Sequence, residues 1–258
     1  MQRDEQIARA CGVTCYTHAV DLKKLRYILG AVCDAADQFD IPVARVRVLE
    51  VGCGVGGVAL PVAALGACVT GVDLDEPDLT TLRTAARAAA LDVDVACADA
   101  TNYRVSTDVH VAIASEVFEH LAVPQPLAAA LSSQVRPGGR LIVTTPNGYG
   151  PWEICRSIRL APRRWNWLRR LFGRSGHEAR GREHEQRYTR ARLVRMMEIS
   201  GFRLLEAHNS DFVLTVSRRL RANRWFGALD CKLADLVPHW MASGWYLTFE
   251  RQVRTAAR

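Results

Sequence analysis

The sequence predicts a doubly wound α/β sheet of seven strands, mostly parallel with an antiparallel last strand, carrying a helical insertion and a helical cap. Three observations predict it. From Arg45 onward short apolar runs alternate with stretches of helical spacing. A glycine-rich loop, Glu50-Val-Gly52-Cys53-Gly54-Val-Gly56-Gly57, follows the first run and opens a helix. The first three runs each end at or near an acid, Glu50, Asp73 and Asp99. Alternation of this kind selects a parallel sheet covered on both faces. Glycines let the backbone turn sharply at the first strand end and approach a ligand closely.

In chain order, Val20, Leu22, Leu25, Ile28, Leu29 and Val32 recur at helical spacing. They predict a leading amphipathic helix that ends before Ile41-Pro42 and covers the ligand side. The runs 46–51, 68–72, 93–98, 109–114 and 140–145 read as strands, separated by helices over 56–65, 76–90 and 124–135. Prolines start the last of these helices, and Pro137-Gly138-Gly139 stops it. The order breaks at Pro146-Asn147-Gly148. Thr189 then caps a helix with Leu193, Val194, Met197 and Ile199 inward, closed by Ser200-Gly201, and 202–207 is the next strand. Leu229, Leu233, Leu236, Val237 and Trp240 mark a further helix, and 245–250 the last strand.

At 258 residues the length suits one α/β domain with an insertion. We divide 1–258 into an N-terminal helical segment (1–40), a ligand-binding half (45–145), a basic amphipathic insertion (146–188) and C-terminal helices and strands (189–258). Hydrophobic residues make up 49% and charged residues 24%, the balance of an ordinary globular chain. No apolar run approaches the roughly 18 to 20 residues of a membrane span, and residues 1–10 lack the apolar block of a secretory signal. A cytoplasmic location is the expectation, at most peripheral to the inner membrane face. The eight cysteines form no CxxC pair, and those in apolar runs, such as Cys68 and Cys97, read as reduced core residues. The formal charge of +7 is concentrated: 156–182 holds nine arginines and one acid, Glu178. Nothing in the sequence sets an oligomeric state.

Gly52, Gly54 and Gly57 alone also satisfy the GxGxxG of dinucleotide-binding folds. The acids decide between the readings. A carboxylate at Glu50 would repel a pyrophosphate but suits the cationic methionine end of S-adenosylmethionine. Asp73 can accept from both ribose hydroxyls, and Asp99 from an adenine amino group. On these residues the chain resembles the class I S-adenosylmethionine-dependent methyltransferases, whose sheet is Rossmann-like. The resemblance continues through Ser115-Glu-Val-Phe-Glu-His-Leu121 and Pro137-Gly-Gly-Arg-Leu-Ile-Val-Thr-Thr-Pro-Asn147, covering roughly residues 45 to 208. It implies that Glu50, Gly52, Cys53, Gly54, Gly56, Asp73, Leu74, Asp99, Ala100 and Ser115 form the S-adenosylmethionine site.

Glu116-x-x-Glu119-His120 falls just past the fourth strand, at the carboxyl edge where open α/β sheets bind ligands. Two carboxylates and an imidazole within five residues can offer oxygen and nitrogen ligands to Mg²⁺ or Mn²⁺, with His184 completing the set. Two families share this arrangement. The small-RNA 2′-O-methyltransferases have a similar Glu-x-x-Glu-His with a distal histidine before an aromatic-Thr pair, which Tyr188-Thr189 matches. The ubiquinone-pathway O-methyltransferases are similar in this segment, in the Thr-Pro-Asn turn and in the insertion that follows, and their layout is closer. In the metal-free reading, Glu116 caps backbone amides, His120 lines the pocket, and His120 or His184 is the general base. Glu116, Glu119, His120 and His184 are therefore the catalytic candidates under either reading.

Residues 162–173 place Trp165, Leu168, Leu171 and Phe172 against Arg163, Arg164, Arg169 and Arg170 on a basic amphipathic helix. Three readings stand: a lid with its arginines in solvent, a peripheral membrane contact through 156–182, and a clamp on RNA phosphates, which the aromatic pattern favours least. Arg218, Arg219, Arg221 and Arg224 lead into the 229–240 helix, expected to help roof the substrate pocket. Trp225, Phe226, Trp240 and Trp245 suit either an aromatic substrate wall or core packing. The expected function is O-methylation of a hydroxyl on a small, lipid-linked or saccharide-like molecule. A metal-dependent RNA ribose 2′-O-methyltransferase is the second reading, and a cofactor-binding scaffold subunit is the non-enzymatic one.

Overall fold

The computed structural model describes residues 2–14, 16, 18–150, 186–212 and 224–253. Its strands are β1 Arg47–Val51, β2 Cys68–Asp73, β3 Val93–Cys97, β4 Val109–Ser115, β5 Val135–Pro146, β6 Phe202–Asn209 and β7 Gly244–Arg251. The helices among the described residues are α1 Gln2–Cys11, α2 Ala19–Gln38, α3 Ala59–Ala64, α4 Glu76–Ala88, α5 Gln125–Gln134, α6 Arg190–Ile199 and α7 Arg224–Ala234. The sheet runs β3-β2-β1-β4-β5-β7-β6. Only β7 is antiparallel, to both β5 and β6. The predicted fold class therefore holds.

The apolar strands are apolar because both faces are covered. Val48, Val69, Val111, Ile113 and Ile142 face one core with Leu25, Leu29 and Val32 of α2 and Leu79 and Leu82 of α4. Their neighbours Leu49, Val72, Ala112, Ala114, Leu141 and Val143 face the other, with Leu127 and Leu131 of α5 and Leu193 and Met197 of α6. The strand order reverses at β1, which lies between β2 and β4. At such a switch point the connections leave to opposite sides and open a crevice at the carboxyl ends of the strands.

Several expectations need correcting. The strand expected over 140–145 begins at Val135, because Gly138 takes φ 76 and carries the backbone through Pro137-Gly138-Gly139 without ending the ladder. Cys68 and Cys97 are exposed rather than core, since β2 begins at the sheet rim and β3 is an edge strand. Thr189 does cap α6, accepting from the Arg192 amide at 3.3 Å, but Ile199 in its last turn is exposed. The helix expected over 229–240 lies earlier, at α7, followed by a short 3₁₀ turn at His239–Met241. Its Leu229, Leu233, Leu236 and Trp240 are exposed, whereas Trp245 is buried in the core. The expected helix over 162–173 lies outside the described residues.

Candidate active site

The glycine loop turns three times through left-handed backbone, with φ of 68, 47 and 86 at Gly52, Gly54 and Gly56. Only glycine takes this sequence of angles without strain. Space is short as well: a Cβ on Gly52 would stand 2.6 Å from Val117 Cγ2, and one on Gly56 2.2 Å from Leu82 Cδ1. Tyr16, just ahead of α2, reaches over the loop, so a Cβ on Gly57 would meet its hydroxyl at 2.2 Å.

Asp73 ties this loop to the end of β2. Its Oδ2 accepts from the Gly54 amide at 2.8 Å and its Oδ1 from the Asp75 amide at 3.0 Å. Each carboxylate oxygen can accept more than one hydrogen bond, so both keep capacity for ligand hydroxyls. Asp99, past the end of β3, is exposed and accepts from the Thr101 amide and hydroxyl, both at 2.8 Å. Those two bonds hold its carboxyl below the usual range. Glu50 sits behind the loop, 2% exposed, where it accepts from the Ala59 amide. Burial pushes its pKa up to about 8, a rise that nearby Lys24 partly offsets. Its Oε2 has no partner among the described residues.

At the end of β4 the backbone bends at Glu116, whose φ of 57 is unusual for a side chain of this kind. Thr144 of β5 donates to Glu116 Oε1 at 2.9 Å. Because that hydroxyl spends its proton on Glu116, Ser115 Oγ donates to Thr144 Oγ1 at 3.0 Å. The adjacent Thr145 donates to Glu119 Oε2 at 3.2 Å. Glu119 is 2% exposed, and burial, reinforced by the charge of Glu116, pushes its carboxyl well above the usual range. His120 follows on the same short 3₁₀ turn, half-buried. The chain returns to this point at Gln186, whose amide donates to the Glu119 carbonyl at 3.0 Å and whose side chain donates to the Ala122 carbonyl at 3.0 Å.

These pieces meet around one cleft of about 980 Å³ at the switch point. Gly52, Asp73, Leu74, Asp99, Ala100, Glu116 and His120 line it. Glu50, Cys53, Gly54, Gly56, Ser115 and Glu119 do not; they lie behind its wall as support. Cys53 is buried, and that burial pushes its thiol far up, which leaves it inert. His184 lies outside the described residues. Sequence reasoning missed Thr101, Val117, Leu121 and Leu127 in the lining, and Thr144 and Thr145 behind the two glutamates. The Thr144-Thr145 pair was visible in the sequence, but only the β4–β5 register, with Ser115 opposite Thr144, shows which acids it serves. Trp225, Phe226, Trp240 and Trp245 are absent from the lining.

Among the described residues no three His, Cys, Asp or Glu side chains come together as a metal-ligand set. The expectation of Mg²⁺ or Mn²⁺ thus finds no support in the described site, and no chemical step is derived through a metal. The residues fit S-adenosylmethionine better. Asp73 and Asp99 face the cleft where hydroxyls and an amine need acceptors, and Gly52 lines it at a φ that favours glycine.

Comparison with known proteins agrees with this geometry. The family described as a methyltransferase domain matches residues 22–207. The ubiquinone biosynthesis O-methyltransferase of Rhizobium leguminosarum bv. trifolii (strain WSM2304) is 31% identical over 134 residues, 50% of this chain and 53% of that protein. The protein of the same name from Thiobacillus denitrificans (strain ATCC 25259 / T1) is 31% identical over 139 residues, 53% of this chain and 58% of its own. The chain thus matches little more than half the length of these curated relatives. Among solved structures, an S-adenosylmethionine-dependent methyltransferase from Clostridium acetobutylicum ATCC 824 superposes with a TM-score of 0.58 at 12% identity, covering 87% of this chain and 90% of that one. Magnesium protoporphyrin IX methyltransferase from Synechocystis PCC 6803 with bound SAH gives 0.55 at 16% identity, covering 90% and 86%. At such identities the superpositions speak for the fold alone.

Proposed function

Since the chain belongs to the methyltransferase-domain family, we propose that it uses S-adenosylmethionine to methylate a hydroxyl oxygen of a small, lipid-linked or saccharide-like molecule. The observation that carries this reading is that Glu116 and His120 line the same cleft as Asp73 and Asp99. The groups suited to hold the methyl donor and those suited to take a proton from an acceptor thus share one cavity.

In this reading Asp73 accepts from the ribose hydroxyls and Asp99 from the adenine amino group, while Glu50, protonated in the empty site, ionises beside the cationic methionine end. S-adenosylmethionine, when bound, supplies a methyl on a sulfonium, open to attack from the side opposite sulfur. The protein's task is to align the acceptor oxygen and remove its proton. His120 is the base, and Glu116 orients the acceptor hydroxyl, itself fixed because Ser115 donates to Thr144 and Thr144 donates to Glu116. Glu119 stays neutral behind it, so that it adds no further negative charge to a wall that already carries Asp73, Asp99 and Glu116. The names of the curated relatives support oxygen as the acceptor atom.

The test incubates purified protein with methyl-labelled S-adenosylmethionine and a cell extract, with and without a chelator, and counts label in organic-soluble, small aqueous and RNA fractions. Label in the organic-soluble or small aqueous fraction, indifferent to the chelator, is the expected result. Label in RNA that the chelator abolishes would replace this reading with the metal-dependent ribose 2′-O-methyltransferase. No transfer into any fraction, with cofactor binding intact, would favour the scaffold subunit.

A further inference from the structure

A second cavity lies away from the cleft, on the outer side of α5 and α6. The two helices sit over one core, to which they give Leu127, Leu131, Leu193 and Met197. Between their outer faces runs a groove of about 620 Å³. α5 contributes Gln125, Ala129, Ser132 and Ser133 at i, i+4, i+7 and i+8, and α6 contributes Arg192, Arg195, Met196 and Ile199 at i, i+3, i+4 and i+7. Such spacing puts each set on one face of its helix. The volume suits a small molecule, and among the described residues none lines both this groove and the cleft.

The groove is apolar in one part and basic in another. Pro124, Ala129, Met196 and Ile199 make the apolar part, and Ile199 is 80% exposed. Arg192 and Arg195 carry the basic part, Arg251 also lines the groove, and no Asp or Glu stands among the described lining residues. α5 bears no charged side chain, so it offers these arginines no counter-ion. Arg192 donates to neutral groups, the Gln186 side chain at 3.3 Å and the Arg187 carbonyl at 3.5 Å, with its guanidinium 5.6 Å from the Tyr188 ring centre. Arg195 has no partner among the described residues. Helix stability does not explain the charges either, because α6 has no acid in its first turn, the end where a helix favours negative charge. Ser132 points to a ligand independently. It is only 7% exposed, yet its hydroxyl has no hydrogen-bond partner among the described residues. A hydroxyl buried in this way costs free energy until it finds an acceptor. Two guanidiniums without an acid complement a dianion, and their forked donors match phosphate oxygens. Inorganic phosphate would leave Met196 and Ile199 uncovered, and a neutral apolar molecule would leave the arginines and Ser132 unmatched.

We propose that the groove between α5 and α6 binds a phosphate monoester of an apolar alcohol, the phosphate on Arg192, Arg195 and Ser132 and the apolar group against Met196 and Ile199. The site does not depend on which acceptor is methylated. The test titrates the full chain with naphthyl phosphate in a calorimeter at fixed ionic strength, with and without saturating S-adenosylhomocysteine. One molecule is expected to bind per chain, equally in both conditions, with naphthol and inorganic phosphate at least about tenfold weaker. Arg195→Gln is expected to weaken binding by at least about tenfold and Ile199→Ser by at least about threefold, both with unchanged melting temperature. Arg190→Gln removes the same charge from α6 outside the lining and is expected to leave affinity intact. No binding, displacement by S-adenosylhomocysteine, naphthol or inorganic phosphate bound as tightly, unaltered affinity in Arg195→Gln, or an equal loss in Arg190→Gln would each overturn the proposal. So would a dimer, measured by sedimentation, that Ile199→Ser dissolves, because a second copy would then occupy the groove.

Discussion

Replacing Glu50 with Gln keeps the shape of the side chain and an acceptor for the Ala59 amide, but removes the proton equilibrium. Burial raises the Glu50 pKa from 4.5 to about 8. The folded chain therefore holds a proton that the unfolded chain releases above about pH 4.5. The native state binds more protons across that window, so stability falls as pH rises from about 4.5 to about 8 and levels off above it. Taken at face value the rise corresponds to roughly 5 kcal/mol at about 1.4 kcal/mol per pH unit. Water penetration and an effective dielectric well above that of dry protein reduce the expected loss to on the order of 2 kcal/mol. Urea unfolding in steps between about pH 5 and pH 8 measures it. The Glu50→Gln chain should match the original near pH 5 and exceed its stability by on the order of 2 kcal/mol near pH 8. Glu119 shifts in the same direction but is present in both chains, so it cancels in the difference. Parallel stability curves for the two chains would refute the reasoning and place Glu50 in contact with solvent or a firm cationic partner.

The other predictions concern the cleft and its loop. His120→Ala should lower turnover by about 10²-fold or more while S-adenosylhomocysteine affinity stays unchanged; unchanged turnover, measured by methyl transfer, removes His120 as the base. Gly56→Ala places a Cβ 2.2 Å from Leu82 Cδ1 at a φ of 86, so it should cost roughly 1–3 kcal/mol, read as a lower midpoint in urea. Gly57→Ala collides with the Tyr16 hydroxyl; adding Tyr16→Ala should restore most of the thermal stability it loses, whereas a purely additive double variant would mean that the two do not touch.

The sheet was legible because its information is local. A parallel strand buried on both faces must be apolar throughout, so 46–51 and 109–114 announced themselves, and the glycine loop and the acids at strand ends follow from backbone requirements at fixed places. What the sequence hid depended on pairing. Val135 looks like the end of a helix until it is seen to pair with Val109 of β4, the ladder resuming at Arg140 beyond the irregular Pro137-Gly138-Gly139 stretch. Thr144 and Thr145 look like ordinary strand residues until the register sets them against Glu116 and Glu119. Residues 229–240 misled in a different way. Periodic leucines mark a helix but not which of its faces is buried, and in α7 the buried stripe is instead Gly227, Asp230, Cys231 and Ala234. Tyr16 carries no local signal at all, since its role comes from the fold bringing residue 16 to residue 57.

The central claim is that the glycine loop and Asp73 form the methyl-donor site, and calorimetric titration with S-adenosylhomocysteine tests it most directly. The account predicts one molecule bound per chain, and an affinity lowered by at least about tenfold in Asp73→Ala through loss of hydrogen bonds to a charged acceptor, with the ligand-free melting temperature confirming that the variant folds. Absence of binding to the unaltered chain, or equal affinity in the folded Asp73→Ala variant, would contradict it.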